Sequence, residues 1–183
     1  MPYNRLYSLE DVRRILNASE GRRRPMAQGP GPGPVGHAMT QHTLAREEWF
    51  GRRDAGGNPI EADSTILVPP QRMTEFVHEA LNSVPGQRAL VKLNHPGVSS
   101  VRIRSILIRQ HADFDIFVVY QPEGQLSFDW ASVTPGNGII FEMFVLVYKL
   151  PNSPNEEIHV QTAYPKSFAR LDGEEVVLRK PLI

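Results

Sequence analysis

Cysteine is absent from this chain of 183 residues. Its absence excludes disulfide bonds, thiolate nucleophiles and every zinc site that needs a cysteine ligand. A zinc-dependent nucleobase deaminase is excluded for the same reason, because that class of enzyme holds its metal with a Pro-Cys-x-x-Cys pair. Any chemistry that the chain performs has to come from other side chains.

Long apolar runs are also lacking, since no stretch reaches the roughly eighteen residues that suggest a membrane-spanning helix. Residues 1–5 lead directly into an amphipathic pattern and do not form the basic-then-apolar region of a signal peptide. We therefore expect no membrane partner, and we expect any export to depend on something outside this sequence.

An excess of either charge is missing as well, because 20 basic residues balance 20 acidic ones and give a formal net charge of zero. Domains that bind nucleic acid are usually basic, so the overall charge gives no argument for such a partner. A local basic groove is still compatible with this balance.

Glycine and proline interrupt residues 21–34 so often that neither a helix nor a central strand can form there. The length of the chain fits one domain with a real core. The sequence therefore predicts an N-terminal helical segment at residues 1–20, a Gly/Pro-rich linker at residues 21–34 and one folded domain at residues 35–183.

Helical patterns dominate the first half of the chain. Ser8 is a suitable N-cap for a short helix with one apolar side. A second helix is expected from about Thr43 to Phe50, and a third is expected with Thr74 as its N-cap. A weaker helical piece covers residues 87–93.

Strand patterns follow, because the sequence after Gly97 is rich in β-branched and aromatic residues separated by turn clusters. One short strand at residues 64–68 precedes five strands predicted at residues 101–108, 114–120, 139–150, 158–164 and 175–178. Helices come first and strands second, without β-α-β alternation. This order predicts an α+β fold, with N-terminal helices followed by a mainly antiparallel sheet.

Six histidines are present, and histidine is the natural proton carrier near neutral pH. His37 and His42 differ from the others because they lie after the linker, at the start of a predicted helix whose free N–H groups can hold an anion. Acid–base chemistry suits them better than zinc, since their spacing does not place both rings on one helix face. A capping or packing role for one of them is the alternative.

A second group of polar side chains lies in the predicted strand at residues 158–164. Residues two apart in a strand point the same way, so Thr162 and Tyr164 share one face, while His159, Gln161 and Ala163 take the other. Two hydroxyls on one face can hold a phosphate or a base edge. Threonine and tyrosine are also ordinary strand formers, so a purely structural role remains open.

Taken together, these stretches resemble the bacterial RNase A-like toxin domains at the C-termini of contact-dependent inhibition proteins and other polymorphic toxins. The resemblance covers about residues 35 to 165 and depends on the order and spacing of short pieces. In chain order these are Gly36-His37, His42, Arg53, Ser64-Thr65, Ala80-Leu81-Asn82 and Thr162-Ala163-Tyr164-Pro165.

The resemblance implies an RNase A-like fold without disulfides and a metal-independent ribonuclease that needs no cofactor. A ribose 2′-OH would attack the adjacent phosphorus and give a 2′,3′-cyclic phosphate, and DNA, which lacks that hydroxyl, would stay intact. The implied functional residues are the catalytic histidine His42, the cation Arg53, the pair Thr162 and Tyr164 at the far wall of the cleft, and His37 in a supporting role.

The same resemblance implies partners and a place of action. The substrate would be RNA, a cognate immunity protein would block the toxin, and a larger delivery protein or secretion system would carry it. It would act in the cytoplasm of the target cell after delivery.

Two other classes of function remain open. An ADP-ribosyltransferase toxin would need a catalytic glutamate on or before a late strand, and Glu142, Glu156 and Glu157 are the candidates. The sequence has no convincing arginine or histidine strand motif before them, and NAD consumption would distinguish this class. In a non-catalytic binding domain, His37 and His42 would be structural and the late sheet would contact a partner.

Overall fold

The computed structural model describes residues 2–23, 25, 35–43, 66–120, 129–150 and 157–170. The helices in these ranges are α1 (Leu9–Ser19), α2 (Ala38–Gln41), α3 (Pro70–Asn82) and α4 (Val84–Lys92). The strands are β1 (Ile66–Leu67), β2 (Ser100–Gln110), β3 (Ile116–Tyr120), β4 (Asp129–Val133), β5 (Gly138–Lys149) and β6 (Ile158–Arg170).

The strands form two antiparallel sheets, with the orders β1-β3-β4 and β2-β5-β6. In these ranges two helices precede the short strand β1 and two follow it. The other five strands come after all four helices, so helices come first and antiparallel strands second. The α+β fold class predicted from the sequence is therefore confirmed.

The hydrophobic core lies between α1, α3 and α4 and one face of the β2-β5-β6 sheet. Burial alternates along β2, where Val101 and Ile103 are buried while Arg102 and Arg104 are exposed, as expected for a strand with one covered face. The ring of Phe76 on α3 lies 4.7 Å from that of Phe141 on β5. We call the opposite side of this sheet the outer face.

Helix α1 packs on β6 and α3 and belongs to the same core. Its predicted N-cap is confirmed, because Ser8 and Asp11 form a reciprocal capping box in which each side chain bonds the backbone N–H of the other. Val12, Ile15 and Leu16 are buried against the other elements. The N-terminal segment therefore contributes to the core of the domain.

Two helices begin earlier than the sequence patterns predicted. The prediction of Thr74 as an N-cap is wrong, because α3 begins at Pro70, where the fixed φ angle of proline suits the first helical turn and its missing N–H is not needed. Helix α4 begins at Val84, and the side chain of Ser83 accepts the N–H of Gly86 as its cap.

Strand β4 was not predicted, and it lies in a part of the sequence interrupted by glycine and proline. The predicted strand at residues 175–178 lies outside the described residues. Residues 44–50 of the helix predicted from about Thr43 also lie outside them. No helix within the described ranges is long and apolar enough to cross a membrane.

Candidate active site

Backbone bonds attach the segment with the two histidines to α1 and β6. Gly36 forms a β-bridge with Glu20, which directly follows α1. The N–H of His37 donates to the carbonyl of Gln161 on β6 at 3.0 Å, and the side-chain amide of Gln161 donates to the carbonyl of Val35. These bonds fix the place at which the chain enters α2.

Gly36 allows this close approach because it has no side chain. A Cβ at this position would lie 2.1 Å from the carbonyl oxygen of Ser19 and 3.3 Å from Cε1 of His159. A larger residue would therefore need a shift of the backbone at the end of α1. Close packing against the end of α1 therefore requires glycine at position 36.

His37 and His42 flank the four-residue helix α2 as its N-cap and C-cap residues. The prediction of a helix from about Thr43 is wrong at that residue, because Thr43 pairs with Val68 in a parallel β-bridge beside β1. The two histidines lie at opposite ends of α2 and not within one continuous helix. Their separation of five residues therefore does not turn the two rings to different helix faces. Their ring centroids lie 5.4 Å apart.

Strand β6 supplies the second half of the site. Thr162 and Tyr164 pair with Leu146 and Phe144 of β5, two alternate residues on the outer face, so they share that face as the sequence predicted. The register then shifts between Leu146 and Val147, where Gln161 is the extra residue of a β-bulge.

The bulge overturns one detail of the predicted strand. Simple alternation placed His159 on the opposite face from Thr162. Because the extra residue resets the alternation, His159 pairs with Tyr148, which lies on the outer face together with Leu146. Three outward-facing residues of β6 are thus His159, Thr162 and Tyr164.

The four side chains from the two segments meet in what we call the His/Thr/Tyr cluster: His37, His42, Thr162 and Tyr164. Nε2 of His42 lies 2.9 Å from the hydroxyl oxygen of Thr162. The ring of His42 is 4.9 Å from that of Tyr164, which is tilted by 38° against it. Residues 120 positions apart in the chain are therefore in direct contact.

His42 is enclosed in this cluster, with a relative exposure of 1%. Burial, followed by the repulsion of a charged His37, lowers the pKa of His42 from 6.5 to about 3. Its Nδ1 atom is buried without a hydrogen-bond partner. His42 is consequently a neutral ring at physiological pH.

His37 has different surroundings, because its side chain is only half-buried. Its Nδ1 atom lies 2.9 Å from the carbonyl oxygen of Val35. A carbonyl can only accept, so the neutral ring carries its proton on Nδ1 and presents the lone pair of Nε2. His37 is thus the more accessible proton acceptor of the pair.

The start of α2 is occupied by a carboxylate of the chain itself. Glu20 accepts the N–H of Met39 at 3.0 Å. This N–H is one of the free donors that were expected to hold an anion at the helix start. At this donor an internal carboxylate therefore takes the place of an external anion.

Several residues of the expected site have other positions or are not described. Arg53, with Arg52 as its neighbour, and Ser64-Thr65 lie outside the described residues. Ala80 and Leu81 are buried on α3, and the side chain of Asn82 bonds both backbone groups of Tyr7 at 2.9 and 2.8 Å. This Ala-Leu-Asn piece connects α3 to the segment before α1.

The glutamates considered for NAD chemistry are engaged with cations. Glu157 accepts a bond of 2.6 Å from Arg14, while the carboxylate of Glu142 lies 3.9 Å from both Arg104 and Lys166. Glu156 lies outside the described residues. Among the residues that are described, no group of three His, Asp or Glu side chains is arranged to hold a metal ion.

Sequence reasoning missed Gln161 and Phe144. Gln161 is the bulged residue that binds the histidine segment, and Phe144 contributes a ring 5.2 Å from that of Tyr164. Neither has a local sequence signature, because both roles follow from the pairing of β5 with β6.

Comparisons with protein-family models, curated proteins and solved structures give no match to this chain.

Proposed function

We propose that the chain is a metal-independent endoribonuclease that cleaves RNA through attack of a ribose 2′-OH on the adjacent phosphorus. The observation that supports this function is the His/Thr/Tyr cluster, in which Nε2 of His42 lies 2.9 Å from Thr162. A second histidine and a phenol adjoin this pair. Proton acceptors and hydroxyl groups together are the side chains that general acid–base catalysis requires.

Within this proposal, His37 is the ring that takes the proton of the 2′-OH. Its Nδ1 is held by Val35, which leaves Nε2 as the acceptor, and its side chain is more accessible than that of His42. This choice differs from the assignment implied by the resemblance, in which His42 is the catalytic histidine and His37 has a supporting role. The new O2′–P bond forms as the P–O5′ bond breaks, and the product is a 2′,3′-cyclic phosphate.

Tyr164 is the group in the cluster that we assign to protonation of the leaving 5′-oxygen. His42 does not supply this proton, because with a pKa of about 3 its ring is not in the acidic imidazolium form at physiological pH. The hydrogen bond between His42 and Thr162 positions the His42 ring, which lies against the ring of Tyr164 and beside that of His37. Arg53 is proposed as the cation that meets the charge on the phosphoryl oxygens.

The test is incubation of the purified protein with total RNA and, separately, with DNA, both in the presence of EDTA. We expect RNA to be cleaved and DNA to stay intact, since DNA has no 2′-OH. His37→Ala should slow cleavage by about a hundredfold to ten-thousandfold, because it removes the general base. His42→Ala should also slow cleavage, because it removes the ring against which Tyr164 lies.

His95→Ala is the matched control, because His95 is an exposed histidine in the turn after α4. It should cleave RNA at the rate of the unmodified protein. Intact RNA under conditions in which the protein is folded, or equal rates for all three histidine variants, would contradict the ribonuclease proposal. NAD consumption by the unmodified protein would instead support ADP-ribosyl transfer.

The proposal extends to the biological setting implied by the resemblance. We propose that the chain is a toxin used between competing bacteria, that a larger protein or secretion system delivers it to the cytoplasm of the target cell, and that a cognate immunity protein inhibits it. Production of the unmodified chain in a bacterial cytoplasm should then stop growth. Production of the His37→Ala variant at the same level should not.

A further inference from the structure

The outer face of the β2-β5-β6 sheet carries more cations than anions. Of the described side chains on this face or at its β6 edge, the charged ones are Arg102, Arg104, Lys166 and Glu142. Arg104 is 60% exposed and Lys166 is 48% exposed, while Glu142 is 25% exposed. The chain as a whole has no net charge, so this excess is local.

Strand pairing arranges the face in two rows that lead to the His/Thr/Tyr cluster. One row runs from Arg104 through Phe144 to Tyr164. The neighbouring row runs from Arg102 through Leu146 to Thr162. Each row crosses two interstrand gaps, which together span about 10 Å.

Aromatic rings lie between the cations and the cluster. The rings of Phe144 and Tyr164 are 5.2 Å apart, and Tyr164 in turn is 4.9 Å from His42. Both aromatic side chains are half-buried, so part of each ring is accessible. Cations that bind phosphates beside rings that can stack on bases form the usual surface for a single-stranded nucleic acid.

We infer that this outer face is the binding surface for single-stranded RNA on its way to the His/Thr/Tyr cluster. Arg102 and Arg104 contact phosphates of the strand, and the accessible edges of Phe144 and Tyr164 contact its bases. This inference rests on the proposed function, because it takes the cluster as the place where the strand is cut. It also explains how a chain without net charge binds a polyanion.

Binding can be measured without cleavage by using a labelled 2′-O-methyl RNA of about 20 nucleotides, which has the shape and charge of RNA but no free 2′-OH. We expect the Arg102→Gln/Arg104→Gln variant to bind this probe about tenfold or more weakly than the unmodified protein. The slope of log K against log salt should decrease by about 1.4, since each phosphate contact of a single strand contributes about 0.7.

Arg88→Gln is the control for the loss of a surface arginine. Arg88 is exposed on α4, which packs on the other side of the sheet, and its replacement should change neither the affinity nor the slope. Equal thermal unfolding of all variants shows that the fold is retained. An arginine pair variant with the affinity and salt slope of the unmodified protein would overturn the inference.

Cleavage of an unmodified RNA of the same length separates this inference from the proposed function. If RNA is cut but the arginine pair affects neither binding nor cleavage, the ribonuclease proposal stands and the binding surface is wrong. If the probe binds through the two arginines but RNA stays intact, the surface stands and the ribonuclease proposal falls. If the unmodified protein neither binds the probe nor cuts RNA, both are wrong.

Discussion

His37 and His42 have neighbouring rings but opposite surroundings. His37 is half-buried and its Nδ1 is held by a backbone carbonyl, whereas His42 is 1% exposed and has one nitrogen without a partner. A buried, unpaired ring nitrogen costs free energy, which the contact with Thr162 offsets only in part. The cluster therefore combines an accessible base with an enclosed neutral ring, and the enclosed ring should affect stability.

Acid should weaken the fold through His42. The pKa is 6.5 in the unfolded chain and about 3 in the folded protein. Between these values only the unfolded chain takes up the proton, so the stabilising contribution is complete above pH 6.5 and is lost as the pH falls towards 3. The free energy of unfolding should decrease by about 1.4 kcal/mol per pH unit in this window through His42 alone.

The measurement is the free energy of urea unfolding between about pH 7 and pH 4.5, for the unmodified protein and for His42→Gln. The variant lacks the titrating group. Carboxylates contribute equally to both proteins, so the difference between their pH dependences isolates His42. Parallel pH dependences would mean that His42 titrates normally in the folded protein.

At the level of single residues, the sequence identified the side chains of the cluster but did not show how deeply each of them is buried. It singled out the two histidines, Thr162 and Tyr164, and the structure brings these four side chains together. It could not indicate that His42 is enclosed while His37 is accessible. Burial depends on which strand lies against α2, and that is decided by contacts between residues far apart in the chain.

The segment around α2 shows how an element can be positioned by its neighbours. Four residues are too few for a stable isolated helix. Its place is fixed instead by backbone bonds to β6 and by the close contact between Gly36 and the end of α1. A change at Gly36 should therefore displace the histidines without touching them.

Gly36→Ala should lower the free energy of unfolding by about 3 kcal/mol, because the new methyl group would overlap the Ser19 carbonyl, a backbone atom that cannot rotate away. Gly97→Ala is the control, since nothing lies within 4 Å of its added Cβ. We expect the control to stay within about 0.5 kcal/mol of the unmodified protein. Chemical denaturation measures both, and equal stability of the two variants would show that the Gly36 contact is loose.

At the level of elements, the sequence predicted those with a strong local pattern. For α1 the N-cap Ser8 and the one apolar side of the helix were sufficient, and for β2 the β-branched composition was sufficient. The starts of α3 and α4 lie earlier than predicted, because each helix has a proline in its first turn, where the missing N–H is not needed. The short helix α2 has no periodic pattern, so its ends could not be predicted.

On the scale of the whole molecule, α1 and the late strands share one hydrophobic core. Val12, Ile15 and Leu16 of α1 belong to this core, and α1 packs on α3 and β6. The described elements should consequently unfold together, although the linker predicted at residues 21–34 separates α1 from α2 in the sequence.

Leu16→Ala should lower the free energy of unfolding by about 2–5 kcal/mol, because it leaves a cavity at a fully buried position. Leu9→Ala on the same helix is the control, since Leu9 is 39% exposed and should change stability by about 0.5 kcal/mol or less. Urea transitions followed by circular dichroism and by intrinsic fluorescence should coincide for both variants. A separate early transition in Leu16→Ala would show that α1 detaches on its own.

The bulge in β6 has a consequence for how this protein can evolve. Gln161 is one residue more than the pairing with β5 requires, and its carbonyl and side-chain amide are the groups that bind the histidine segment. Deleting it would remove this bulge and keep Thr162 and Tyr164 on their face, yet it would remove the residue that holds the segment with His37. In a divergent lineage, the gain or loss of a single codon here would change how this segment is attached to β6 while every histidine of the sequence stayed unchanged.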